Sequence, residues 1–158
     1  MSYDFNADEV LKIAEQIERN GSNFYRKAAE KVSDQAEKKL LLNLAEMEDV
    51  HEKTFASLRK TISEKEKAAT VFDPEDQTGM YLRSLADTRV FFEKELDFSS
   101  MKSILKDAIG AEKDSIIFYL GIKDAVPADL GKDKIEAIIK EEMSHIRILN
   151  REIMALKK

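Results

Sequence analysis

Four stretches of the chain place apolar residues at alternating steps of three and four, the spacing that lines one face of an α-helix. The first opens at Asn6, which can cap a helix while Glu9 completes a capping box and Phe5 packs on Val10. It is predicted to run to about Val32, with Ser33 capping the next, which spans roughly Asp34 to Lys65. The pattern then breaks around Lys67 to Thr78, where Asp73-Pro74 marks a turn or loop end. A shorter amphipathic stretch, Gly79 to about Phe92, carries Leu82, Leu85, Ala86 and Val90 on one side. Ser99 or Ser100 caps a third long helix that reaches about Ala125. Pro127 and Gly131 punctuate, and a last helix runs from about Lys132 to Leu156. The expected fold is all-α and a single domain over 1–158. It is an antiparallel four-helix bundle with a long, partly helical crossover between helices 2 and 3.

Each long helix carries a seam fit to face a bundle core. In the first it reads Leu11, Ala14, Glu18, Gly21, Tyr25, Ala28, Val32, and in the second Leu41, Leu44, Glu48, His51, Phe55, Leu58, Ile62. The third gives Met101, Leu105, Ala108, Glu112, Ser115, Tyr119, Ile122. The fourth gives Ile135, Ile138, Glu142, His145, Leu149, Leu156, with Ile153 slightly off the strict step. Every seam holds one glutamate near its middle, and two add a histidine three residues later.

The two halves repeat. Adding 94 carries Glu18 onto Glu112, Phe24-Tyr25 onto Phe118-Tyr119, Glu48 onto Glu142 and His51 onto His145. Two helix hairpins of one design, packed with approximate two-fold symmetry, bring all six polar seam residues to one level.

Composition narrows what this level can be. Only 5 Gly and 2 Pro interrupt a chain rich in good helix formers. The absence of cysteine removes disulfides, thiolate zinc sites, iron–sulfur clusters and any cysteine nucleophile. A net charge of −5 argues against nucleic acid as a partner. No apolar run reaches membrane-spanning length, since the one around Ile116 to Ile122 is interrupted by Tyr119 and Gly121. The acidic N-terminus lacks the regions of a signal peptide, so a soluble, cytoplasmic protein is expected.

Four carboxylates in one core need compensating charge, because a buried, unpartnered carboxylate is strongly disfavoured. Two divalent cations balance Glu18, Glu48, Glu112 and Glu142, and His51 and His145 add a nitrogen ligand to each. Residues three apart share a helix face, so Glu48 with His51 can hold one metal and Glu142 with His145 the other. Glu18 and Glu112 join singly, the four acids serving as bridging or terminal ligands. The mixed oxygen and nitrogen donors suit iron, manganese or zinc. A lone Glu-x-x-His is ordinarily a solvated surface pair. Here the chain has 2 histidines, and both stand in such motifs on core seams. Tyr25 and Tyr119 lie two turns beyond Glu18 and Glu112. Each hydroxyl can support a ligand carboxylate of the opposite hairpin, or simply pack in the core.

This ligand order on four helices with a crossover resembles the rubrerythrin and bacterioferritin branch of the ferritin-like diiron proteins. The strings Ile17-Glu18-Arg19-Asn20-Gly21-Ser22-Asn23-Phe24-Tyr25 and Ala111-Glu112-Lys113-Asp114-Ser115-Ile116-Ile117-Phe118-Tyr119 look rubrerythrin-like. The resemblance implies a carboxylate-bridged diiron site that reacts with hydrogen peroxide or dioxygen. It implies an external electron donor such as rubredoxin, because the cysteine-ligated domain of full-length rubrerythrins has no counterpart here. Ile109 stands where rubrerythrins tend to place an extra glutamate, and its repeat counterpart Glu15 is either a substitute or an exposed residue. Asp49 stands where bacterioferritins carry a haem-binding methionine, so haem is not expected. The leading expectation is a peroxide- or dioxygen-reducing oxidoreductase. The alternatives are a ferroxidase serving iron storage or delivery, and a metal-binding bundle without turnover. A homodimer is the default assembly.

Overall fold

The computed structural model describes residues 7–61, 97–125 and 131–156. Four α-helices occupy them: α1 Ala7–Lys31, α2 Gln35–Thr61, α3 Met101–Ala125 and α4 Lys132–Leu156. The expected caps at Asn6, the break around Lys67 to Thr78, the amphipathic stretch from Gly79, Ile62 and Pro127 lie outside the described residues. Among the described residues, no helix is long and apolar enough to cross a membrane.

Helix starts follow side-chain chemistry. Asp34, not Ser33, caps α2: its Oδ1 accepts from the Glu37 N–H at 2.9 Å, and its carbonyl accepts from Lys38 at 3.0 Å. Both residue types cap well, but a carboxylate also meets the positive end of the helix dipole. Ser100 takes the role for α3, its Oγ accepting from the Ser103 N–H at 3.1 Å. Gly131 opens α4, its carbonyl accepting from Lys134 at 3.0 Å and Ile135 at 3.2 Å.

Gly131 has φ of +100°, and a Cβ there would stand 2.3 Å from Leu58 Cδ2. Leu58 is itself locked in the core. Gly131→Ala is therefore expected to cost about 1–2 kcal/mol or more in chemical denaturation, from backbone strain alone before the clash is relieved.

The core forms two apolar clusters, each built from all four helices. One joins Val10 to Ile17 of α1 with Phe55 and Leu58 of α2, Phe118 to Ile122 of α3 and Ile135 to Ile139 of α4. The other joins Phe24 to Ala29 with Leu41 to Ala45, Ile104 to Ala108, Leu149 and Ile153. The start of α1 thus lies beside the ends of α2 and α3 and the start of α4. Each hairpin is antiparallel, α1 also opposes α3, and α2 runs parallel to α3. The end of α2 and the start of α3 stand at opposite ends of a bundle about 40 Å long, a length set by the 1.5 Å rise per residue. The chain is an all-α four-helix bundle with a crossover between α2 and α3.

Burial follows the seams, with one correction. Leu156 is 45% exposed, and Ile153 at 7% takes the inward place at the end of α4. A straight helix turns every 3.6 residues, so a strict 3.5-residue seam drifts off the core within a few turns. Fully burying each large apolar side chain, such as Phe55 or Phe118, stabilises the bundle by about 1.5–3 kcal/mol. On the solvent side, Arg19–Glu52 at 2.6 Å and Arg26–Asp49 at 2.5 Å tie α1 to α2. Such exposed pairs contribute about 0–1 kcal/mol each.

Candidate metal centre

Between the two apolar clusters lies one polar layer. It is made of Glu18 from α1, Glu48 and His51 from α2, Glu112 from α3, and Glu142 and His145 from α4, none more than 3% exposed. The first hairpin supplies Glu18, Glu48 and His51, and the second Glu112, Glu142 and His145.

The donor atoms fall into two overlapping sets. Glu18, Glu48, His51 and Glu142 offer one atom each within 4.8 Å of one another, and so do Glu48, Glu112, Glu142 and His145. Glu48 and Glu142 belong to both sets. Each set holds one whole Glu-x-x-His pair, Glu48 with His51 or Glu142 with His145, and the packing adds the other motif's glutamate to it. His51 Nδ1 lies 2.9 Å from Glu142 Oε1 of the opposite hairpin, nearer than its own motif partner Glu48 at 3.9 Å. Antiparallel packing of α2 against α4 sets each motif's glutamate between the two imidazoles, whose rings stack at 5.7 Å and 18°.

Both imidazoles turn Nδ1 inward. His145 Nδ1 stands 3.0 Å from Glu142, 3.2 Å from Glu48 and 3.4 Å from Glu112. The outward nitrogens differ, for His51 Nε2 meets Glu141 while His145 Nε2 has no hydrogen-bond partner among the described residues. Glu141 was not anticipated. Its signal in the sequence is faint: a carboxylate beside a seam glutamate, directed at the other hairpin's histidine only by the packing of α2 on α4.

The two tyrosines cross the bundle. Tyr25 donates to Glu112 Oε1 at 2.6 Å, and Tyr119 donates to Glu18 Oε1 at 2.5 Å. Each tyrosine therefore holds the glutamate that belongs to a single donor set. Burial first, and then the neighbouring carboxylates, push both phenols well above their ordinary range, so they remain protonated donors. Glu15 joins neither set. It is 9% exposed and engaged by Arg59, which also reaches Asp8 at 3.3 Å, so it is neither a ligand here nor an exposed residue. Ile109 packs against the second apolar cluster.

Protons hold the layer together in this form. Burial, with repulsion from Glu142, raises Glu18 to about 7. Burial, with repulsion from Glu112 and Glu48, raises Glu142 to about 8. Glu48 rises well above its ordinary value for the same reasons. Burial would also raise Glu112, but its contacts with His145, Glu142 and Tyr25 lower it instead. Burial would lower His51, yet its contacts with Glu142 and Glu18 hold it at about 12, and His145 is raised likewise.

The donor atoms of the layer also suit cations. Glu18 Oε2, Glu48 Oε1, Glu142 Oε2 and His145 Nδ1 are buried without aligned hydrogen-bond partners among the described residues, and each belongs to a residue of the donor sets. Close but misaligned donor atoms suit a shared metal ion, which needs no hydrogen between them. The all-oxygen-and-nitrogen set suits iron, manganese or zinc.

No curated protein gives a significant match to this chain. The fold superposes on the 2.30 Å crystal structure of a candidate ferritin-like diiron-carboxylate protein from Thermotoga maritima. The TM-score is 0.71 at 26% identity, with 98% of each chain covered. The rubrerythrin family model matches residues 2–93, which carry Glu18, Glu48 and His51, and the internal repeat extends the same pattern to Glu112, Glu142 and His145. With more than half its length matched, the chain belongs to the rubrerythrin family and has a ferritin-like diiron-carboxylate fold.

Proposed function

We propose that the chain is a non-haem diiron oxidoreductase that reduces hydrogen peroxide, and more slowly dioxygen, with electrons from a separate donor. The observation that carries this reading is the pair of donor sets sharing Glu48 and Glu142 in a buried layer. Glu18, Glu48, His51 and Glu142 would hold one iron, and Glu48, Glu112, Glu142 and His145 the other. A bound ferrous pair supplies two electrons, the number consumed when hydrogen peroxide and two protons become two waters. The residues do the positioning: the shared carboxylates set the spacing, and the tyrosines restrain Glu112 and Glu18. The two apolar clusters keep bulk water from either end of the layer.

The absence of cysteine denies the chain a thiolate-ligated second redox centre, which supports an external reductant, rubredoxin by family resemblance. Asp49 is engaged by Arg26 at 2.5 Å, which supports a reading without haem at that place. A cytoplasmic homodimer completes the proposal.

Stopped-flow mixing of the diferrous protein with each oxidant tests it. Peroxide is expected to oxidise the centre faster than dioxygen, with turnover only when a reductant is present. Faster reaction with dioxygen, together with mineralisation of ferrous ions far beyond two per chain, would instead establish iron storage.

A further inference from the structure

We propose that Glu141 positions the His51 imidazole and so makes the two metal positions unequal, the His51 position holding its ion more tightly and filling first. The inference rests on the diiron reading above and deepens it. His51 turns Nδ1 to Glu142 at 2.9 Å and Glu18 at 3.4 Å, while Nε2 meets the carboxylate of Glu141. With Nε2–H committed to that acceptor, the ring rotation is settled before a metal arrives, and a metal that displaces the Nδ1 proton meets a lone pair already facing the donor set. The side chain of Glu141 is 53% exposed against 2% for His51, so its charge stays hydrated and adds no burden to the buried layer.

Among the described residues, the other half lacks this support. His145 Nδ1 faces the donor set as His51 does, but its Nε2 is buried without a partner among the described residues. The repeat supplies the reason. The offset of 94 that relates the halves carries Met47 onto Glu141, and a thioether offers no strong acceptor. Approximate two-fold symmetry therefore holds for the ligands and fails in what orients them. The ion at the His145 position binds an imidazole whose Nε2–H has no outer acceptor among the described residues to raise its basicity, and that weakens it.

Titrating the metal-free full chain with Co²⁺ against a chromophoric chelator reads both positions. Two ions are expected to bind with dissociation constants about 10- to 100-fold apart, the usual effect of an outer partner on a ligand histidine. Glu141→Ala is expected to weaken the tighter position by that factor, shift the visible absorption of the first Co²⁺ bound, and leave the second unchanged. Glu141→Gln, which keeps an acceptor oxygen without its charge, falls between. Met47→Glu, which copies Glu141 into the other half, tightens the weaker position. Two ions of equal affinity in the unaltered chain, or Glu141→Ala weakening both positions alike, overturns this inference and leaves the metal centre standing. A chain that retains no Co²⁺ overturns both.

Discussion

Glu48→Ala and Glu142→Ala are each expected to abolish binding of both metal ions, and with it any peroxide reaction, while the chain keeps most of its helix. Each carboxylate belongs to both donor sets, so one truncation opens both positions. Glu18 and Glu112 each belong to a single set, and their alanine variants are expected to weaken one position and spare the other. The helices persist because the apolar clusters above and below the layer are untouched. Metal content after gel filtration, read beside far-ultraviolet circular dichroism, decides the matter. Two full equivalents retained by Glu48→Ala or Glu142→Ala would refute the assigned centre.

Loading the centre at neutral pH is expected to release about four protons for two divalent ions, since either set of cations neutralises the same four buried carboxylates. In the metal-free chain these protons sit on the two imidazoles and on the raised carboxylates. Unfolding shows the same linkage. Glu18 and Glu142 titrate near 4.5 when unfolded but near 7 and 8 when folded, so the folded chain holds more protons across that interval. Stability of the metal-free protein therefore falls as pH rises through it. His51, raised from 6.5 to about 12, has the same sign: its contribution is complete below 6.5 and is withdrawn as pH climbs toward its folded value. Metal ions compete with those protons, so the gain in melting temperature on adding Zn²⁺ or Mn²⁺ grows with pH. Paired melts with and without metal from mildly acidic to mildly alkaline pH test this. A metal-free protein that becomes more stable over that range would contradict a protonated core.

What could be read from the chain, and what could not, divides along physical lines. Helix identity and the last three helix ends were legible because Ser100, Gly131 and the run from Lys132 act locally. Ser33 and Asp34 are adjacent and chemically alike as caps, and only the folded backbone chose between them. The six polar seam residues were legible because burial and periodicity leave a charged side chain on a core face nowhere else to go. Which carboxylates are shared was not legible. Spacing along α2 relates Glu48 to His51, whereas the short contact from His51 to Glu142 crosses between hairpins. Glu141 was missed for the same reason, since its partner is 90 residues away. Glu15 read as a substitute carboxylate or an exposed residue because nothing in α1 indicates Arg59.

Closure of the whole layer within one chain has a consequence in mass action. The two ligand sets together draw on α1 to α4 of the chain, so the centre is expected to complete without an association step. Metal affinity is then expected to hold on dilution, whereas it must fall when protomers each lend a ligand and part company.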